Sequence, residues 1–313
     1  MRILERHTDL ADDDRGASAA IGNFDGVHLG HQRVIGLARD AARRLGAPLG
    51  VVTFEPHPRE VFAPESPPFR LMNAEAKAHR LAKIGVERLY QLGFDTSLAA
   101  LSAEAFARDV LARGLGLRHV VVGADFCFGH NREGDVAMLE AFGRRFGFGT
   151  TVAPLLTAGD DAVSSTAIRQ ALSDGRPEAA KAMLGHWHRI EGPVLHGEKR
   201  GRQLGYPTAN MSIDGLHPPA FGVYAVSVDV LTGPQAGTYD GVASLGVRPM
   251  FGENRANLET HLFDFAGDLY GQHLSVALVS WLRSEQRFDG IAALVAQMDR
   301  DSLTARDRLA AAL

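Results

Sequence analysis

Ile21-Gly22-Asn23-Phe24-Asp25-Gly26-Val27-His28-Leu29-Gly30-His31 is the stretch from which the rest of the chain can be read. An apolar run, Ala19 to Ile21, enters a glycine-broken turn. A helical pattern beginning near His31 then carries Val34, Ile35, Leu37 and Ala38. With a helix starting at or just before His28, the i,i+3 spacing places both imidazoles on one face. Beside them stand backbone N–H groups that have no partner inside the helix and favour anions. Such a strand-to-helix turn suits the phosphate chain of a nucleotide. The plainer alternative is two surface histidines in a turn, and the Gly-Asn-Phe-Asp-Gly around them weighs against it.

Working outward, β-rich runs alternate with amphipathic helical patterns. Strands are expected at Ala17–Ile21, Leu49–Phe54, Arg88–Leu92, His119–Val122 and Thr150–Leu155, and helices at His31–Leu45, Ala74–Ile84, Ala103–Arg113 and Val136–Phe146. Asn73, Ser102 and Asp135 suit N-caps, and Gly85, Gly114 and Gly147 suit stops. This alternation implies an α/β domain, Rossmann-like, whose open parallel sheet binds ligands beyond the carboxyl ends of its strands. Two short helices follow, Ala167–Ser173 and Arg176–Leu184. From about residue 187 the texture becomes all-β: short runs at Val194–His196, Val223–Val230, Val242–Leu245, Glu259–Phe265 and Leu274–Leu282, separated by Gly/Pro/Asn/Asp turns. That pattern predicts a small antiparallel β-barrel closed by a terminal helix over Gly290–Leu313. The expected domains are residues 1–185 and 186–313.

At 313 residues two domains are the default. A net charge of −4 leaves no basic footprint for nucleic acid. Cys127 is the single cysteine, which excludes an intramolecular disulfide and a cysteine-based zinc site and fits a reducing, cytoplasmic setting. The first residues lack an apolar core like that of a secretory signal. No apolar run reaches the ~18 residues of a membrane helix, so no membrane partner is expected. Weak homo-oligomerisation is left open.

Further stretches carry chemistry. Thr53-Phe54-Glu55-Pro56-His57-Pro58 follows the second strand, with Phe62 just beyond. Val121-Val122-Gly123-Ala124-Asp125-Phe126-Cys127-Phe128-Gly129 follows the fourth, with Arg132 and Gly134 after it. Ser164-Ser165-Thr166-Ala167-Ile168-Arg169 opens a helix. Phe126 and Phe128 at period two also read as ordinary core, and Ser165 or Thr166 as a helix cap. A capping hydroxyl, free amides and an arginine one turn on equally make a phosphate site. In the second half, Gly197-Glu198-Lys199-Arg200-Gly201-Arg202-Gln203-Leu204-Gly205-Tyr206-Pro207-Thr208-Ala209-Asn210 joins a glycine-rich basic loop to two hard oxygen donors two residues apart, suited to Mg²⁺. Lys199–Arg202 alone could be a plain basic turn. Leu258-Glu259-Thr260-His261-Leu262 supplies a strand carboxylate that, read blind, would be merely solvated. Neither a P-loop nor a G-x-G-x-x-G follows the first strand.

Taken in order, these stretches resemble the bacterial bifunctional riboflavin kinase/FAD synthetase family, as do Phe221-Gly222-Val223-Tyr224, Gly246-Val247-Arg248-Pro249, Leu269-Tyr270-Gly271 and Trp281-Leu282-Arg283. The resemblance implies that ATP phosphorylates riboflavin to FMN in the second domain and adenylates FMN to FAD in the first, with release of pyrophosphate. It implies an ATP and phosphate site in the first domain at Gly22, Asn23, Phe24, Asp25, His28, His31, Ser164, Ser165, Thr166 and Arg169, of which His28, His31 and Arg169 assist catalysis. Flavin there would meet Phe54, Pro56, His57, Pro58, Phe62, Asp125 and Phe128. For the kinase it implies ATP and phosphate contacts at Gly197, Lys199, Gly201, Arg202, Thr208 and Asn210, Mg²⁺ on Thr208 and Asn210, the catalytic Glu259, and flavin at Glu259 and Arg283. Cys127 departs from the basic residue often found there, and Met250 from the threonine more often found after Arg-Pro. Two other classes are compatible with parts of the chain: a nucleotidyltransferase for another small phosphate with an inert barrel, and a non-enzymatic flavin sensor. Pro-Thr-Ala-Asn with Glu259 argues against the first, and consumption of ATP would exclude the second.

Overall fold

In a computed structural model, which describes residues 1–154, 157–158, 161–196, 205–250 and 253–312, the chain forms two compact units. One comprises residues 1–66 and 77–163, the other residues 67–76 and 164–313.

The first unit is built on a wholly parallel six-stranded sheet. Its strands are β1 (Arg2–Leu4), β2 (Ser18–Ile21), β3 (Leu49–Glu55), β4 (Arg88–Gly93), β5 (His119–Gly123) and β6 (Gly149–Ala153), in the order β1-β4-β3-β2-β5-β6. The order reverses at β2. Central strands are apolar on both faces, as a parallel sheet covered by helices requires, and Ala19, Val52, Val120 and Val122 are fully buried. Helix α1 (Leu29–Leu45) ends at Gly46 in the left-handed conformation. Helix α2 (Pro58–Phe62) and helix α3 (Ala74–Lys83) follow β3, and α4 (Val136–Phe146) precedes β6.

Two differences from the sequence reading stand out. β1 was not expected, because three residues at a sheet edge carry no readable period. The helix expected over Ala103–Arg113 is a short α-turn, Ala103–Ala105, running into a π-helical stretch, Phe106–Gly114. Phe106, Ala107, Val110 and Leu111 are buried, so the apolar stripe was read correctly. The spacing of such a stripe does not separate i→i+4 from i→i+5 hydrogen bonding.

The second unit opens with α5 (Ser165–Ser173) and α6 (Pro177–Leu184), whose Ile168, Leu172, Ala180 and Leu184 pack with Leu71. An antiparallel sheet follows: β7 (Arg189–Pro193), β8 (Ala209–Ser212), β9 (Gly222–Val230), β10 (Gly237–Met250), β11 (Glu253–Leu262) and β12 (His273–Arg283), in the order β8-β11-β10-β9-β12-β7. A bridge between Leu195 and Asn210 joins the two ends into a nearly closed barrel. The strand expected at Val194–His196 lies instead at Arg189–Pro193, paired with β12. β10 runs far beyond Val242–Leu245 because β9 and β11 bond it on both sides, carrying it through glycines that show no side-chain pattern. Helix α7 (Ile291–Ala312) closes the chain, with Ala305 and Leu309 buried against Ala225, Ala277 and Val279.

Candidate active sites

Gly22–His31 leaves β2 at the carboxyl edge of the parallel sheet. His28 is the N-cap of α1, its Nδ1 accepting the His31 backbone N–H at 3.3 Å. The two imidazoles stack with centroids 3.5 Å apart and planes 17° apart. The pKa of His31 is held well below 6.5, by burial first and then by the charges of His28 and Lys77. Its Nδ1 is buried without a hydrogen-bond partner. Burial and the neighbouring charges both favour the neutral ring.

The backbone of this loop is strained. Phe24 and Val27 take φ of +50° and +44°, a region that costs a non-glycine residue about 1–3 kcal/mol. Buried Phe24 does not face a ligand; it sets its ring edge-on to His31 at 5.3 Å. Asp25 is buried and Asn23 exposed, while Gly22 N–H donates to Val52 O at 3.1 Å.

Along the same edge, His57 caps α2: its Nδ1 accepts from Arg59 N–H, while Glu60 accepts from His57 N–H at 2.8 Å. Pro58 is the first residue of that helix, and Pro56 is exposed just before it. Phe62 is 70% exposed, which is unusual for a large apolar ring, and it leans on Phe94 at 5.6 Å. Phe94 touches Phe54, Phe54 touches Phe106, and Phe106 touches Phe128, with centroids 5.7, 6.4 and 5.9 Å apart. Phe128 stacks on Phe126 at 5.5 Å. Asp125 is exposed beside this ladder. Sequence reasoning singled out neither Phe94 nor Phe106. The position of Phe94 immediately beyond β4 was the available signal, since ligands gather there.

Ser164, Ser165, Thr166 and Arg169 belong to the second unit. Ser164 caps α5, its Oγ accepting Ala167 N–H at 3.1 Å, with Ser165 and Thr166 in the first turn. Arg169 Nε donates to Phe69 O at 2.5 Å, and its guanidinium lies 5.6 Å from the Phe69 ring.

In the barrel, Asn210 on β8 pairs with Glu259 on β11, and Glu259 with Ser244 on β10. Directly paired residues share a face, so the carboxamide and the carboxylate stand side by side. Asn210 Oδ1 accepts from Asn257 Nδ2 at 3.4 Å. A cavity of 310 Å³ is lined by Thr208, Asn210, Thr260, Leu269 and Tyr270, among others. Thr260 Oγ1 is buried there without a hydrogen-bond partner. Arg283 is bound to Asp301 on α7. Gly197, Lys199, Gly201 and Arg202 lie outside the described residues. Among the described residues, no group of three His, Cys, Asp or Glu could hold a metal.

The FAD synthetase family model matches residues 10–167, and the riboflavin kinase family model matches residues 184–309. A bifunctional riboflavin kinase/FMN adenylyltransferase from Pseudomonas fluorescens is 43% identical over 98% of this chain and 97% of its own. One from Escherichia coli K12 is 42% identical over 93% and 92%, and one from Bacillus subtilis 36% over 96% and 95%. A crystal structure described as a macrolide-efflux protein from Streptococcus pneumoniae matches with a TM-score of 0.81 at 32% identity, covering 97% of this chain and 98% of that one. Among the described residues here, no helix is long and apolar enough to cross a membrane.

Proposed function

This chain belongs to the family of bifunctional riboflavin kinases/FMN adenylyltransferases, and on that premise we propose that it converts riboflavin to FMN and FMN to FAD, using ATP in each step. The observation that carries the reading is that two distinct sets of reactive groups stand on two different folds. The stacked His28–His31 pair sits at a helix N-terminus of the parallel sheet, and the Asn210–Glu259 pair on the barrel wall. We place the division of activities at residues 1–185 and 186–313.

In adenylyl transfer, an FMN phosphate oxygen bonds to the α-phosphorus of ATP as the bond to the pyrophosphate oxygen breaks. The nucleophile is already anionic, so little base help is needed. Rate comes from positioning and from neutralising charge on the departing pyrophosphate. His28 and His31, at the N-terminus of α1, supply donors for that charge. The Phe62–Phe94–Phe54 ladder offers an apolar face for the flavin ring, with Pro56, Asp125 and Phe128 around it. Ser164, Ser165, Thr166 and Arg169 are assigned to phosphate on their motif alone.

In the kinase step, the terminal ribityl hydroxyl of riboflavin bonds to the γ-phosphorus of ATP and ADP leaves. A hydroxyl is a poor nucleophile until its proton has an acceptor, and Glu259 is assigned that role. Thr208 and Asn210 would hold Mg²⁺, and the buried, unpartnered Thr260 Oγ1 in the same cavity fits an occupant with donor or cationic character. When bound, the ion would neutralise phosphate charge. Gly197, Lys199, Gly201 and Arg202 are proposed to close over the phosphates. A cytoplasmic enzyme acting on small molecules, without nucleic acid or membrane partners, completes the reading.

The test is full-length protein with riboflavin, Mg²⁺ and ATP, followed by chromatography of the flavins. FMN and then FAD are expected. FMN that never proceeds to FAD, or FAD formed only from supplied FMN, would remove one of the two activities.

A further inference from the structure

Lys77 on α3 is the one ammonium among the largest fully buried side chains of the described residues, at 2% exposure. A buried lysine charge needs partners. Its Nζ lies 2.7 Å from Glu55 Oε1 and donates to Thr53 Oγ1 at 3.3 Å and to Asn23 O at 3.4 Å. Thr53 Oγ1 itself donates to Asn23 O at 3.2 Å. The Asn23 carbonyl is thus held by two donors immediately before Phe24, where the backbone enters the left-handed region. Glu55 is the last residue of β3, directly before Pro56 and His57. One cation therefore ties the loop carrying His28 and His31 to the start of the loop proposed to meet flavin.

We propose that Lys77 is a positioning residue for adenylyl transfer, which fixes the phosphate-binding loop through the Asn23 carbonyl and sets it in register with the Glu55–Pro58 loop. The proposal rests on reading His28 and His31 as the adenylyl-transfer site. At 2% exposure Lys77 acts through its neighbours rather than on a substrate. Its charge also adds to the lowering of the His31 pKa.

A merely structural ion pair and a positioning device differ in what removing both charges does. Taking away one partner leaves an uncompensated buried charge, whereas taking away both often restores stability. In the full-length protein, the double variant Lys77→Met/Glu55→Gln is expected to melt near wild type and to keep riboflavin kinase activity. Its kcat for FAD formation from supplied FMN is expected to fall on the order of 10²-fold, the scale of a misplaced reacting group, with KM for ATP changed far less. Thr53→Val, which keeps shape and removes the hydroxyl that links Lys77 to Asn23, should lower the same kcat while both charges of the Lys77–Glu55 pair remain. A double variant that folds and makes FAD at the wild-type kcat overturns the proposal. Full FAD synthesis by a His28→Ala/His31→Ala variant overturns instead the site reading beneath it.

Discussion

Arg283 Nε donates to both carboxylate oxygens of Asp301 at 3.0 Å, and its Nη2 to Oδ2 at 2.6 Å. Gln297 adds a donor to the same carboxylate at 2.8 Å. This fork joins the end of β12 to the middle of α7, with Asp301 only 6% exposed. Removing one member of a buried, hydrogen-bonded pair costs roughly 3–5 kcal/mol. Asp301→Ala is therefore expected to lower the unfolding free energy by about that amount. Denaturant unfolding followed by tryptophan fluorescence checks this, since both tryptophans, Trp187 and Trp281, belong to the second unit. A loss under about 1 kcal/mol would show the fork to behave as an exposed pair.

Gly30 stands against His28 closely enough that a Cβ there would lie 3.1 Å from ring atoms Cε1 and Nδ1. The glycine of the His-x-Gly-His stretch thus makes room for the stacked imidazoles. Gly30→Ala is expected to shift the His28 ring by a few tenths of an ångström and to slow FAD formation by about an order of magnitude, given that ~1 Å can cost 10²-fold. FMN formation should not change. Assaying both steps on one preparation checks it, and equal loss of both would point to unfolding.

His188 gives a pH dependence with a definite sign. It is 2% exposed, and burial first, then the neighbouring His186 and His217, lowers its pKa from 6.5 to about 3. The folded form binds fewer protons than the unfolded one below 6.5, so stability is complete above that value and falls as pH drops toward about 3. The slope approaches 1.4 kcal/mol per pH unit. Between pH 7.5 and 5.5, wild-type protein should lose about 1.4 kcal/mol from this residue, and His188→Leu should not. His188 Nδ1 has no hydrogen-bond partner, so the substitution sacrifices no bond at that atom. Identical pH profiles for the two proteins by tryptophan fluorescence would refute the assignment.

The sequence was most legible where a residue's chemistry and its local period agreed. His28 and His31 could be placed on a helix start because strand, glycine turn and apolar stripe follow within a dozen residues, and α1 begins at Leu29. Lys77 was invisible: it reads as one of several cations on an amphipathic helix, and only the fold turns it inward to Glu55. Phe94 and Phe106 were missed because their meaning depends on strand order, which brings separate segments into one aromatic ladder. Arg283 carried a motif expectation of flavin contact, whereas its partner Asp301 lies in a helix whose polar pattern gave no hint of a buried carboxylate.

Glu259 carries the sharpest mechanistic claim. It stands opposite Asn210 and Ser244 on adjacent strands, so its carboxylate is held by the register of three strands rather than by a loop. Glu259→Gln keeps size and hydrogen-bonding capacity but removes the basic oxygen. General-base help is typically worth about 10²–10⁴-fold in rate, and kinase kcat is expected to fall by about that factor. Riboflavin binding should change little, because the lost interaction matters mainly in the transition state. FAD formation from supplied FMN should be untouched, since that nucleophile is already anionic. A raised KM for riboflavin with kcat nearly intact would assign Glu259 to positioning instead. Measuring both constants, with FAD synthesis as the folding control, distinguishes the two outcomes.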